Sequence, residues 1–297
     1  MGIRRFIILV STILIVALIV LIWLVPPDTD FLISNRYWNG TELISAEFNI
    51  KPLSKGPDLE SAAGKALLVF PYTEYTEAEL DELDRFVRSG GMLIVADDFG
   101  QGNQVLEALG VVARFSKETL LDPMVCYLNR WLPISVRISA DPLMRDITSL
   151  VLNHSTTLIN VLPNEVLAQS SSFSFLDSNG NAILESSESS GPFPIIAKIG
   201  LDEGQLILLS DPSILINGGL TLADNKKFVQ NIASLAPGGV FVDQAHLPPS
   251  NLVDTKSALG VVYENLRTPW GTLIISVLIL VLLTLLLWPQ DRIISSE

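Results

Sequence analysis

Apolar positions fall along the chain in three patterns: a long uncharged run near each end, short continuous runs through the middle, and stretches that recur at helical spacing. Residues 66–70 read ALLVF, long enough for a strand covered on both faces and too short for an ordinary helix. Thr76 with Glu79 three residues on makes a capping box, after which Leu80, Leu83 and Val87 recur at helical spacing while the acidic residues fall elsewhere. Gly90 and Gly91 end that helix where a left-handed residue is needed, and residues 92–96 form a second buried strand running into Asp97 and Asp98. The unit is βαβ. It sets polar residues at the carboxyl ends of parallel strands, where open α/β sheets bind ligands.

The same reading extends outward. Residues 31–34 are a strand candidate, Thr41 or Asn39 caps a short helix through Ile44, residues 48–50 return as a strand, and 51–64 are loop. Beyond the central unit come a helix over 104–109 stopped by Gly110 and a strand over 111–115. Residues 116–159 read as an irregular insertion with a strand near 149–152. Short strands at 166–168, 172–175 and 183–184 then surround a turn at 177–181, whose Asn-Gly is the strongest hairpin dipeptide. Apolar strands over 194–199 and 205–210 follow, the second ending in Ser210 and Asp211. Asp224 or Asn225 opens a helix with Phe228, Val229, Ile232 and Leu235 on one side, and a last strand over 238–242 delivers Asp243, Gln244 and His246. The expected fold is an α/β three-layer sandwich with a mostly parallel sheet, carrying an irregular, β-rich lobe over 116–190.

The terminal runs change the picture. Residues 6–25 are about twenty residues without a charge, enough to cross a hydrocarbon core of roughly 30 Å, and 270–288 are their counterpart, bracketed by Trp270 and Trp288. The first also begins like a signal peptide, but its apolar run is longer than a usual signal core and no small-x-small site follows, so a retained anchor is the better reading. Arg4, Arg5 and Arg292 hold both ends in the cytoplasm, which leaves residues 28–246 as one domain outside, joined by a linker over 247–269. Residues 1–5 and 289–297 are then the cytoplasmic ends of a two-pass protein of the cell membrane. The formal net charge of −13 argues against nucleic acid, whose phosphates would be repelled.

Few motifs carry chemistry. Gly100-Gln101-Gly102-Asn103 begins like a dinucleotide loop, but Val105 stands where the third glycine belongs. Asp177, Asn179, Asn181, Glu185 and Glu188 occupy the first, third, fifth, ninth and twelfth places of a calcium loop, yet Ala182 holds the place of its glycine, and a polar hairpin is the preferred reading. His154 and His246 lack metal-ligand spacing, no Walker A or Gly-x-Ser-x-Gly occurs, and the one cysteine, Cys126, reads as a buried thiol. The carboxylates Asp97, Asp98, Asp211 and Asp243 all follow strand ends, and topology alone would gather them at one edge.

Three segments together carry a resemblance: Trp38-Asn39-Gly40-Thr41, the block from Gly90 to Asp98, and the stretch from Gly204 through Asn231 with Ser210-Asp211-Pro212-Ser213, Asn217 and Asp224-Asn225. This order resembles an uncharacterised, membrane-anchored family of unknown function with a class I glutamine-amidotransferase-like domain. The resemblance implies a flavodoxin-like sandwich without an assigned reaction, in proteins encoded beside a MoxR-type AAA ATPase. Amidotransferases place a cysteine nucleophile on a tight turn after a central strand, where this chain has Asp97 and Asp98, so the glutaminase machinery is missing.

The expected function is a non-catalytic, membrane-anchored binding or scaffold subunit of a membrane complex, with an AAA ATPase system among its partners. The ligand-binding candidates are Asp97, Asp98, Asp211, Asn217, Asp243 and His246, and no cofactor is named. Two alternatives stand beside it: a metal-dependent hydrolase or transferase built on the strand-end carboxylates, and a sugar-binding module using Tyr72, Tyr75 and Phe99.

Overall fold

The structure is a computed structural model that describes residues 3–53 and 62–287. The chain divides into two compact units, residues 28–249 and, separately, residues 1–27 with 250–297.

In chain order the first unit contains α2 (Glu42–Phe48), β1 (Lys51–Leu53), β2 (Lys65–Val69), α3 (Glu77–Arg88), β3 (Met92–Ala96) and α4 (Gly102–Ala108). Then follow β4 (Arg114–Phe115), β5 (Thr119–Leu121), β6 (Ile134–Arg137), β7 (Ser149–Val151), β8 (Leu158–Ile159), β9 (Val166–Gln169) and β10 (Phe175–Asp177). It closes with β11 (Pro194–Leu201), β12 (Gly204–Leu209), α5 (Asn217–Leu220), α6 (Asn225–Leu235) and β13 (Gly239–Asp243). The second unit has α1 (Ile3–Leu24), α7 (Asn251–Leu266) and α8 (Pro269–Leu287).

One sheet organises the first unit, in the order β1-β13-β2-β3-β12-β11-β9-β6-β7. From β1 to β12 the neighbours are parallel, and from β12 to β7 they are antiparallel. The unbroken apolar runs of the central strands have a direct cause, since both faces are covered. Leu68, Ile94, Leu209 and Val242 meet Phe228, Val229 and Ile232 of α6 on one side. Leu67, Leu93, Val95 and Leu208 meet Leu83, Phe86 and Val87 of α3 and Val105 and Leu106 of α4 on the other. A fully buried leucine of this kind contributes about 2 kcal/mol, so each strand is fixed by its neighbours in both layers.

The helices explain the strand order. The path β2-α3-β3-α4 steps along the sheet over one face, and α6 returns over the other to deliver β13 beside β2. Chain order therefore reverses between β13 and β2, and the crevice at their carboxyl ends is the topological switch point. α3 keeps its start: Thr76 accepts the Glu79 amide while the Glu79 carboxylate accepts the Thr76 amide at 2.8 Å.

Several expected elements differ. Residues 31–34 form turns instead of a strand, because Phe31 has a φ of 60° and its ring stacks on Phe70 and Tyr72, at 4.7 and 5.3 Å between centroids. The helix after Thr41 runs through Phe48, Asn49 turns left-handed at φ 53°, and the strand is Lys51–Leu53, where loop was expected. Residues 54–61 of that expected loop lie outside the described residues. The strand over 111–115 shrinks to Arg114–Phe115. Within the β-rich stretch 116–190, β6, β7 and β9 join the main sheet, β5 pairs with β10, and β8 pairs with β4, which lies just before that stretch.

The turn at 177–181 closes no hairpin, and residues 183–184 are not a strand. The Asp177 carboxylate accepts the amides of Gly180, Asn181 and Ala182 and gathers the loop around itself instead. Cys126, expected buried, is partly exposed.

In the second unit α1 contains one stretch, Arg5–Leu24, long and apolar enough to cross a membrane by length and composition. A second crossing exists by the same measure only if α7 and α8, whose axes differ by 95°, count as one broken span. Trp288 and Arg292, expected to mark the second anchor and its tail, lie outside the described residues.

Candidate functional site

The carboxyl ends of the parallel strands carry two clusters. The first fills the switch point. β2 leads into Tyr75 and the capping box of α3, and β13 ends in Asp243 with His246 three residues on. Tyr75, Asp243 and His246 are all buried. The Tyr75 hydroxyl donates to Asp243 Oδ2 at 2.8 Å, and His246 Nδ1 lies 2.6 Å from the same oxygen. On its other side His246 Nε2 is 3.6 Å from Glu79 Oε2, and the Tyr75 ring lies flat on the imidazole, 3.5 Å between centroids.

Burial works against charge on His246, but the bond and charge of Asp243, with Glu79, outweigh it and raise its pKa. The bonds from Thr76 hold Glu79 below its ordinary value, with His246 adding to the effect. Burial, then Asp243, keeps the Tyr75 phenol protonated. A void of about 10 Å³ beside this group, lined also by Leu67, Val69 and Leu83, is at the lower limit for one water. The amides of Tyr72 and Thr73 both donate to the His246 carbonyl, so the cluster also ties the end of the domain to the loop after β2.

The second cluster lies at the ends of β3 and β12. Asp97 is fully buried, and its two oxygens accept the amides of Gly100 and Gly102 at 2.6 and 2.8 Å, which starts α4. Burial nevertheless pushes its carboxyl up to about 6. Asp211 is also fully buried, with Oδ2 accepting the Asn153 amide at 2.5 Å and Oδ1 the Ser213 amide at 2.8 Å. Burial pushes it up to about 7, and the nearby Asp98 charge adds to this.

Asp98 is the more open carboxylate. Its Oδ1 accepts the Tyr72 hydroxyl at 3.2 Å and the Phe99 amide at 2.6 Å, and burial raises its pKa while the proximity of His154 lowers it. His154 is exposed and stacks on Trp131, 4.7 Å between centroids, and the Phe99 ring is 44% exposed. The open part of the edge is therefore Tyr72, Asp98 and Phe99 with the Trp131–His154 pair.

The expected site residues separate accordingly. Asp97, Asp98 and Asp211 share one cluster, Asp243 and His246 the other, and Asn217 belongs to neither. Asn217 Oδ1 accepts the Leu43 amide, and its Nδ2 donates to the carbonyls of Asn35 and Tyr37, so it staples the segment before α2 to α5. Among the described residues no group of three or more His, Cys, Asp or Glu side chains is arranged to hold a metal ion. Sequence reasoning missed Glu79 as a partner of His246, and it missed the pairing of Trp131 with His154. Both pairs join segments whose contact has no local signature.

The family described as Domain of unknown function (DUF4350) matches residues 46–233. No curated protein matches the chain. Among solved structures the chain is similar to the mmIFT52 N-terminal domain, 18% identical over 57% of this chain and 76% of that one, with a TM-score of 0.43. It is similar to a β-galactosidase from Bacillus circulans sp. alkalophilus, 14% identical over 55% of this chain but only 22% of that one, with a TM-score of 0.31. A ThuA-like protein from Bacteroides uniformis is 11% identical over 57% and 67% of the two chains, with a TM-score of 0.30.

Proposed function

The chain belongs to the DUF4350 family, a domain of unknown function, and from that premise we propose that it is a membrane-anchored binding subunit of a membrane complex. Its contact surface is the open carboxyl edge of the sheet. The observation that carries this reading is the division of labour among the strand-end acids: Asp97 and Asp211 turn both oxygens onto backbone amides, whereas Asp98 sits beside exposed Phe99 and near exposed His154, which stacks on the half-buried Trp131. Two rigid caps thus hold a small aromatic and acidic surface in place.

The finer architecture in this reading is flavodoxin-like, of the amidotransferase-like kind, supported by five parallel strands with helices on both faces. Both α1 and α8 cross the membrane, each end of the chain is cytoplasmic, and residues 28–249 face outward. At 1.5 Å per residue α8 extends roughly 28 Å, close to the thickness of a hydrocarbon core. The resemblance to proteins encoded beside a MoxR-type AAA ATPase makes such a system the first partner to seek. Sugar binding is the second reading, favoured by the exposed Phe99 ring and the Trp131–His154 stack; Tyr75 is buried and takes no part. Metal-dependent chemistry draws no support from Asp97 or Asp211, each of whose oxygens already accepts a backbone amide.

The test is crosslinking and mass spectrometry of full-length protein purified from its own membranes in mild detergent, with Asp98→Asn and Trp131→Ala beside the wild type. Lys117 donates its ammonium to the Gly100 carbonyl beside this edge, and a partner set crosslinked near it and lost in the variants is the expected result. Recovery of the protein alone, or an unchanged set in both variants, would remove the scaffold reading, and glycan-array binding abolished by Trp131→Ala would replace it with the sugar-binding one.

A further inference from the structure

Resting on the two-pass reading above, we infer that α7 is an in-plane membrane helix, and that the groove it forms with the end of α1 is filled by phospholipid acyl chains. Three observations within this unit lead there. The first is direction: the axis of α7 is turned 95° from that of α8, so if α8 crosses the bilayer, α7 runs along its surface.

The second is depth. Lys256, in the first half of α7, donates its ammonium to the carbonyl of Val25, just past the last residue of α1. The end of a helix leaves carbonyls without partners, and a lysine is a natural donor for them. The contact holds α7 level with the end of a membrane-length apolar helix, which is the height of the lipid headgroups.

The third is the distribution of side chains. Leu252, Leu259, Val262, Tyr263 and Leu266 share one side at helical spacing, with Thr255 among them, and Asp254, Ser257 and Glu264 share the other, which Val253 and Val261 interrupt. The apolar side borders a groove of about 510 Å³, with Val20, Trp23 and Leu24 of α1 on one wall and Leu259, Val262 and Tyr263 of α7 on the other. Val262 and Tyr263 are 52% and 54% exposed, an apolar surface that water would disfavour. The α1 wall is continuous with the exposed apolar surface of the membrane-length helix, so what covers α1 also enters the groove, and that is lipid. Arg267, 5.6 Å over the Tyr263 ring, and Trp23 add the aromatic and cationic residues typical of this depth.

The experiment uses full-length protein in phosphatidylcholine–phosphatidylglycerol vesicles, with Cys126→Ser and one introduced cysteine at a time: Val262→Cys, Ser257→Cys or Val277→Cys on α8. Each carries a nitroxide whose collisions with oxygen and with a water-soluble nickel complex are measured. The oxygen-to-nickel ratio should be high at 277, lower at 262, and several-fold lower again at 257. Leu259→Cys repeats the groove measurement should the variant at 262 not fold. Lipid exposure at 277 with equal ratios at 262 and 257, whether both wet or both buried, overturns the in-plane helix alone. A wet label at 277 removes the two-pass reading and this inference with it.

Discussion

Asp211 stands two residues past β12 with no exposure to water, and Asp97, the first residue after β3, is equally buried. A buried acid whose pKa is raised binds its proton more tightly in the folded chain than in the unfolded one. Its contribution is therefore fully present below the unfolded value and is lost as pH climbs through the folded value. From 3.8 the two carboxyls rise to about 7 and about 6. Between about pH 5 and pH 8, Asp211 is thus titrating over two pH units and Asp97 over one, which at ~1.36 kcal/mol per unit removes about 4 kcal/mol of folding stability.

His246 acts in the same direction, since its pKa is raised above 6.5 and its stabilisation is lost as pH rises through the folded value. Glu79 and Asp224 act in the opposite direction, but their pKa values are lowered and their losses begin only as pH falls to about 4.5 and below, outside this window. The assay is urea unfolding of the full-length protein in a non-denaturing detergent, followed by near-ultraviolet circular dichroism at steps from about pH 5 to pH 8. Asp211→Asn isolates the larger share. At low pH it costs ~1–3 kcal/mol, because its amide turns one N–H bond into a donor facing a donor. Its loss between pH 5 and 8 should be about 3 kcal/mol smaller than that of the wild type. A wild type whose stability is flat or rises over this range, or a variant with the wild-type slope, refutes the reasoning.

Two further substitutions probe the frame around the site. A Cβ at Gly204 would stand 1.9 Å from the Val87 carbonyl oxygen and 2.5 Å from that of Gly91, so Gly204→Ala should lower the urea-derived stability by about 3 kcal/mol through overpacking of α3 on β12. Asn217→Ala orphans the Leu43 amide and the Asn35 carbonyl, and takes one of two donors from the Tyr37 carbonyl, which keeps the Gly40 amide. It should cost ~2–3 kcal/mol and speed hydrogen exchange at Leu43 ahead of the β3 amides, whereas uniform acceleration would mean that Asn217 does not act locally.

What the sequence made legible was local or two-sided. The run at 66–70, the capping box at Thr76 and Glu79, and the strand at 92–96 could be read because one short window contains both the pattern and its cause. The parallel half of the sheet followed from them. The stretch around Phe31 was misread because an apolar run specifies burial and not backbone: its ring is buried on Phe70 and Tyr72, and a turn does this as well as a strand. The antiparallel half was hidden for another reason, since β6, β7 and β9 are only three or four residues long and find their partners across long loops. The site divides along the same line. Asp97, Asp98, Asp211, Asp243 and His246 could be named because they follow strand ends. That Tyr75 would reach Asp243, 168 residues away, depends on β13 returning beside β2, and no spacing in the chain announces it.

The turn after β3 holds the sharpest contrast with class I glutamine amidotransferases. There a tight turn after a central strand lifts a nucleophile into the open. Here a turn at the same place folds inward. A Cβ at Gly100 would stand 2.6 Å from Asp97 Oδ1 and 2.5 Å from the Pro71 carbonyl oxygen, and one at Gly102 would stand 2.6 Å from Asp97 Oδ2. The two glycines let the backbone wrap around the carboxylate closely enough for both amides to reach it. A cysteine at 97 would offer one weak acceptor to two buried donors, and leaving either without a partner costs about 1–3 kcal/mol. The residues that would be catalytic in such a turn are thus committed to holding α4 in place. What remains free to meet a ligand is the next side chain, Asp98, which the rigid turn presents beside Tyr72, Phe99 and His154.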